Sequence, residues 1–91
     1  MTTRTTTTKT NLVHRLNRLA GQMLALKRMV DGDRYCIDII TQTSAIRHGL
    51  SKVEDMLLAD HLAHCARDQM ATGHVEKATK EILKVYKLQR T

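Results

Sequence analysis

One stretch of the chain limits its possible folds more than any other, the run from Tyr35 to Met70. The run contains one glycine, Gly49, and no proline, so nothing in it would stop a helix of roughly 35 residues. Helices of this length gain most of their stability from packing an apolar face against a neighbour. The run therefore predicts a rod that another helix or a second copy of the chain packs against lengthwise.

Apolar residues alternate at spacings of four and three in two parts of the chain, which is typical of helices packed lengthwise. We call each of these rows of apolar residues a seam. The first seam predicts a helix that has its N-cap at Thr10 and ends at Asp31, before a Gly32-Asp33 turn. The second seam lies in the long run, and its next position is His61. The two seams are Leu12, Leu16, Leu19, Met23, Leu26 and Val30, and Ile39, Thr43, Ile46, Leu50, Val53 and Leu57.

A break at Thr72-Gly73 precedes a third, short helix that we expect from His74 to Gln89. The predicted fold class is therefore all-α, with a three-helix protomer. Helices of such unequal length do not close a globule alone, so we expect an antiparallel helical dimer that assembles to a tetramer. Gly21, in the middle of the first helix, is expected either to permit a close helix approach or to be a tolerated defect.

Composition narrows the function classes. The chain has 91 residues, no Pro, Trp or Phe, and a formal charge of +6. These values argue against an aromatic RNA-binding platform and favour DNA over a membrane as partner. We expect a flexible N-terminal tail over residues 1–9 and one domain over residues 10–91. Two cysteines without a signal peptide indicate the cytoplasm, and no catalytic set of residues supports an enzyme.

Three residues of the long run are candidate metal ligands. His61 and Cys65 are four apart, so on a helix they lie on one face at neighbouring turns. Cys36 lies 25 residues before His61, which is on the order of 38 Å along a helix axis. If all three bind one ion, Cys36 must come from a second, antiparallel chain, and a two-fold dimer then holds two equivalent sites.

The donor types narrow the choice of metal without fixing it. Two thiolates and one imidazole suit Cu(I) in a trigonal plane, whereas Zn(II) would take a fourth ligand from His64 or water. A thiol-based redox switch would use the same two cysteines. Considered singly, His61 is equally compatible with a hydrogen-bonded core histidine, and Cys36 with a small buried apolar residue.

Four segments carry a resemblance over roughly Asn11 to Tyr86. They are Leu16-Asn-Arg-Leu-Ala-Gly21-Gln22, Asp33-Arg-Tyr35-Cys36-Ile-Asp38, Thr41-Gln42-Thr-Ser44-Ala45 and Asp60-His61-Leu-Ala-His64-Cys65. Together they resemble the CsoR/RcnR family of bacterial metal-responsive repressors. Within that family the chain looks like the copper-sensing branch, whose ligands fall on Cys36, His61 and Cys65. Tyr35 and Glu81 match positions that this branch uses to link the copper site to the third helix.

The resemblance implies a fold without a helix-turn-helix, in which Arg15, Arg18 and Lys52 belong to a basic surface that binds DNA through phosphates and shape. The implied function is a repressor that binds operator DNA when metal-free and leaves it on binding Cu(I), which derepresses copper-resistance or efflux genes. Two other functions stay open, a cytosolic copper buffer or carrier and a thiol-redox regulator of the persulfide type.

Overall fold

The chain is a succession of helices. The computed structural model describes the backbone of residues 6–90, without the side chains of Thr6, Cys65, Ala66, Gln89 and Arg90. The elements are α1 (Thr6–Asp31), α2 (Cys36–Asp60), a π-helical turn (His61–Ala66), α3 (Arg67–Ala71) and α4 (Val75–Arg90). Because α2, the π-helical turn and α3 follow one another without a gap, they form the long second helix expected from the sequence. No strand occurs in residues 6–90, so the prediction of an all-α fold with three helices is confirmed.

The first helix begins earlier than expected. It starts at Thr6 instead of after a cap at Thr10, so residues 6–9 of the predicted tail are helical, while residues 1–5 lie outside the described residues. Threonine has a low helix propensity, which favoured a later start. No glycine or proline interrupts the segment, and α1 extends through it.

The turn after α1 lies where the sequence predicted it. The Arg34 N–H donates to the Met29 carbonyl at 3.0 Å, and the Asp33 N–H donates to the Val30 carbonyl at 3.2 Å. This pair of bonds is a Schellman motif, in which the first residue after the helix C-cap has a left-handed backbone conformation. That residue is Asp33, with φ of 52°, and not the neighbouring Gly32. Asp33 therefore carries the strain of the turn.

The residues divide into two compact units, one ending at Leu58 and the other beginning at Ala59. The core of the first unit lies between α1 and α2. Its buried side chains come from the two predicted seams and are joined by partly buried neighbours. The buried set is Leu12, Leu19, Ile46 and Val53, and the neighbours are Leu26, Met56 and Leu57.

Close packing of α1 on α2 occurs at Gly49. A Cβ atom placed on Gly49 would lie 2.5 Å from Leu19 Cδ2, so any larger residue there would require the Leu19 side chain to shift. The expectation of a close approach at Gly21 is wrong for this unit, because no atom lies within 4 Å of the position where a Cβ of Gly21 would be. Within the first unit, the close helix contact at a glycine is on α2.

About half of the predicted seam stays exposed in a single chain. Leu16, Met23, Val30 and Leu50 are each more than two-fifths exposed, with Val30 at 56%. Apolar side chains at helical spacing that a protomer leaves uncovered are typical of surfaces that pack against another copy. This exposure is compatible with the expected dimer and tetramer. None of the described helices is both long and apolar enough to cross a membrane.

The second unit consists of the π-helical turn, α3 and α4, with α3 packed against both neighbours. α3 ends in a second Schellman motif, in which the His74 N–H donates to the Gln69 carbonyl at 2.6 Å. Its left-handed residue is Gly73, with φ of 86°, at the predicted break. Ala78, on α4, is fully buried. The turn therefore folds α4 back beside α3.

Candidate metal centre

His61 is the first residue of the π-helical turn. Its Nε2 atom lies 3.4 Å from Oε2 of Glu81 on α4, and the two side chains are 30% and 39% exposed. A π-helical turn inside an α-helix is rare and frequently marks a functional site. His61 is thus paired with a carboxylate but still reachable from solvent, which does not match a fully enclosed core histidine.

The pairing with Glu81 leaves one ring nitrogen for a metal. When a carboxylate holds Nε2–H, the imidazole is fixed in the tautomer whose Nδ1 carries the free lone pair. Histidine ligands of metal sites are usually oriented by a carboxylate or carbonyl in this way. The His61–Glu81 pair is therefore compatible with a histidine ligand whose donor atom would be Nδ1.

Gln69 is a member of this cluster that the sequence analysis missed. Its Nε2 donates to the same Glu81 oxygen at 3.4 Å, while its Oε1 is buried without a hydrogen-bond partner. An unsatisfied buried carbonyl oxygen is unfavourable, so the amide is held there at a cost. Gln69 lies eight positions after His61, two helical turns along, and that spacing was the signal available in the sequence.

The reserve ligand His64 faces a different carboxylate. Its Nε2 lies 3.6 Å from Oδ1 of Asp60, one turn earlier, and the Asp60 side chain is 8% exposed. The three remaining histidines are exposed, namely His14, His48 and His74. His61 is therefore the histidine of the second unit that a carboxylate on another helix orients.

Cys36 opens α2 as an exposed free thiol. The alternative interpretation of Cys36 as a small buried apolar residue is therefore wrong for the single chain. Tyr35, directly before it, is 68% exposed and caps α2 with its carbonyl, which accepts the N–H groups of Asp38 and Ile39. An accessible thiol is what a ligand shared with another chain requires.

Cys65 lies in the π-helical turn with His61, but its side chain is outside the described part of the structure. Among the side chains that are described, no three of His, Cys, Asp and Glu come together closely enough to hold a metal ion. Cys36 is the first residue of α2, and the π-helical turn follows the last residue of that helix. A site in which Cys36 comes from a second chain stays a prediction.

The predicted basic surface lies on the first unit. Arg15 and Arg18 line an open groove of about 320 Å³ together with Asn11, His14 and Met56. Lys52 is exposed and lies on α2 one turn before Met56, so its side chain is on the same side of that helix. The two arginines are therefore brought together in one groove, with Lys52 on the adjoining face of α2.

A family model described as metal-sensitive transcriptional repressor matches residues 8–87. The copper-sensing transcriptional repressor CsoR of Bacillus subtilis (strain 168) is 40% identical over 79 residues, which cover 87% of this chain and 78% of that protein.

Two solved structures resemble this chain in fold. The copper-sensing repressor CsoR with Cu(I) from Geobacillus thermodenitrificans NG80-2 matches with a TM-score of 0.92 and 36% identity, covering 100% of this chain and 95% of that chain. The nickel-responsive transcriptional regulator InrS matches with a TM-score of 0.72 and 31% identity, covering 86% of this chain and 88% of that chain.

Proposed function

Because the chain belongs to the family of metal-sensitive transcriptional repressors, we propose that it represses transcription in the metal-free state and leaves its operator on binding Cu(I). Release of the operator then derepresses genes for copper resistance or efflux. The family consists of transcriptional regulators and not enzymes, and we expect this member to act in the cytoplasm.

The observation that carries the choice of metal is the imidazole of His61, whose Nε2 lies 3.4 Å from Glu81. Nδ1 is then directed away from the carboxylate and is available as the one nitrogen donor. With thiolates from Cys36 and Cys65, it makes a donor set of two sulfurs and one nitrogen. Such a soft set of low coordination number favours Cu(I) over Ni(II), which prefers more nitrogen and oxygen donors.

The proposed site is shared between two chains. Cys36 starts α2 and His61 follows its last residue, so a single helix holds these donors apart. An antiparallel partner would bring its own Cys36 to His61 and Cys65, which gives two sites in each dimer. The exposed apolar residues Leu16, Met23, Val30 and Leu50 supply surface for such a dimer and for its association to a tetramer.

The proposed DNA surface is formed by Arg15, Arg18 and Lys52. Guanidinium and ammonium groups bind phosphate oxygens with little sequence discrimination. A flat helical face does not enter the major groove easily, so operator choice would depend on DNA shape. The formal charge of +6 adds a general attraction to DNA.

Coupling between the two sites runs through the residues beside His61. Glu81 lies on α4 and its carboxylate contacts His61, so a change in the orientation of the imidazole is passed directly to α4. Tyr35, next to Cys36, is the proposed link on the other side of the site. Release from DNA requires the two arrangements of the helices to differ in DNA affinity, and a coupling free energy of about 1–3 kcal/mol is usual.

The test is an anaerobic titration of the reduced protein with Cu(I), followed by X-ray absorption at the copper edge and by fluorescence anisotropy of a bound DNA duplex. We expect one copper per protomer, coordinated by two sulfurs and one nitrogen, and loss of anisotropy at the same equivalence point. Copper binding without DNA release would instead identify a copper buffer. In that case, charge reversal at Arg15 and Lys52 would change nothing.

The exposed thiol of Cys36 favours a second candidate, a thiol-redox regulator. Such a regulator would need the two cysteines and not His61. A His61→Ala variant that still responds to a persulfide donor, but has lost its response to copper, would identify this function. If the His61→Ala variant instead loses its response to copper and also gives no response to the persulfide donor, the result supports the copper repressor.

A further inference from the structure

α1 carries a row of polar side chains beside its buried face. Asn11, His14, Arg15 and Arg18 follow one another at helical spacing, which puts them on one side of α1 within two turns. All four are exposed, and with Met56 of α2 they line a single open groove. The groove therefore contains two residues, Asn11 and His14, to which neither the resemblance nor the proposed function gives a role.

The chemistry of the lining suits a chain of phosphates. Arg15 and Arg18 are permanently charged donors, and Asn11 offers an amide N–H group. No carboxylate lines the groove among the described residues, and the ion pairs of the described residues lie in the second unit. Met56 gives the groove one apolar wall, against which the sugar of a nucleotide can pack.

The dimensions of the row match a stretch of DNA strand. Asn11 and Arg18 are seven residues apart, or roughly 10 Å along the helix axis. Successive phosphates of one strand are separated by more than the axial rise of about 3.4 Å, so this length is enough for about two of them. A free phosphate ion would occupy only part of such a groove, whereas a phosphodiester backbone would follow all of it.

We propose, on the basis of the repressor function proposed above, that this groove binds the phosphodiester backbone of one operator strand and that Asn11 and His14 are DNA contacts beside Arg15 and Arg18. Asn11 donates a neutral hydrogen bond at one end. His14 offers an imidazole N–H group to a phosphate oxygen between Asn11 and Arg18.

The test uses the full-length, metal-free protein and a duplex that the wild-type chain selects from a random-sequence pool. Affinity for this duplex is measured by fluorescence anisotropy over a range of chloride concentrations. The variants are His14→Gln, Asn11→Ala and Arg15→Gln. Lys27→Gln, which removes one positive charge from α1 outside the groove, is the matched control.

Each phosphate contact made by a cation contributes about 0.9 to the slope of log affinity against log salt. His14→Gln and Asn11→Ala each remove a hydrogen bond to phosphate that the original side chain makes, so each should weaken binding about three- to tenfold. Asn11→Ala removes no charge and should leave the slope unchanged. Arg15→Gln should lower the slope, and Lys27→Gln should not.

Three results overturn the inference. If His14→Gln and Asn11→Ala both bind like the wild type while Arg15→Gln binds weakly, the DNA surface stands but the groove does not extend to these residues. If inorganic phosphate displaces the duplex more strongly than chloride at equal ionic strength, the groove is a site for free phosphate. If the wild-type protein selects no duplex, the proposed function fails and the inference fails with it.

Discussion

Two variants that each destroy the proposed metal site should restore it when their chains are mixed. The first variant is Cys36→Ala, and the second carries His61→Ala and Cys65→Ala. The reason is the length of α2, which has 25 residues, begins with the first donor and ends directly before the second. At about 1.5 Å per residue this helix is roughly 37 Å long. Donor bonds of about 2.0–2.3 Å bring two ligands of one ion within roughly 5 Å of each other.

The expected amount of copper follows from the geometry of the dimer. When the two variants are unfolded and refolded together in equal amounts, half of the dimers contain one chain of each kind. In a mixed dimer, one site is complete, because the double-variant chain supplies Cys36 and the Cys36→Ala chain supplies His61 and Cys65. The other site has none of the three donors. The mixture should therefore bind about a quarter of the copper that the wild type binds.

The assay is a Cu(I) titration against a chelator that removes copper from each variant alone but not from the wild type. Refolded wild type is the control for losses during refolding. A mixture that binds no more copper than the separate variants would refute the shared site, and so would either variant alone retaining full binding. Separately refolded variants, combined only afterwards, give the rate at which chains exchange.

Three further predictions concern side chains at particular positions of the fold. Gly49→Ala should lower the free energy of unfolding by up to about 2 kcal/mol, because overpacking against the core costs about 1–3 kcal/mol and the higher helix propensity of alanine offsets about 1 kcal/mol. Gly21→Ala should raise the free energy of unfolding by about 0.5–1 kcal/mol. Urea unfolding measures both changes. Asp33→Gly should stabilise by about 1 kcal/mol by relieving the left-handed backbone, also in urea. Gln69→Leu should change the free energy of unfolding by no more than about 1 kcal/mol and should weaken copper-dependent DNA release through Glu81. Release that is unchanged in fluorescence anisotropy would contradict this prediction.

The sequence predicted the helices well because their signals are local. The seam of α1, the turn at Asp33 and the break at Gly73 each depend on a few neighbouring residues, and all three lie where expected. The start of α1 was misjudged because threonine is a weak helix former, although nothing after Thr6 stops the helix. Local patterns thus gave the number and order of the helices, with an error of one turn at the N-terminus.

Contacts between helices were predicted less well. The sequence singled out Gly21 for a close approach, but the close contact is between Gly49 and Leu19, because which glycine faces a neighbour depends on how two helices are rotated about their axes. The spacing of Gln69 from His61 indicated that both lie on one side of the helix, but not that Gln69 contacts Glu81. That contact joins residues twelve apart on two helices, and no spacing rule within one helix relates the two positions.

A site shared between chains restricts how copper can release the proposed repressor from DNA. If Cys36 of one chain and His61 of its partner hold the same ion, copper binds the dimer and not the separated chains, so it stabilises the dimer by linkage. Derepression by dissociation into single chains would require the opposite effect. Release must then come from a rearrangement within the intact assembly, in which the two states differ in DNA affinity. The contact from His61 to Glu81 on α4 is a means for that rearrangement, because it joins a ligand to a helix that carries none of the three donors.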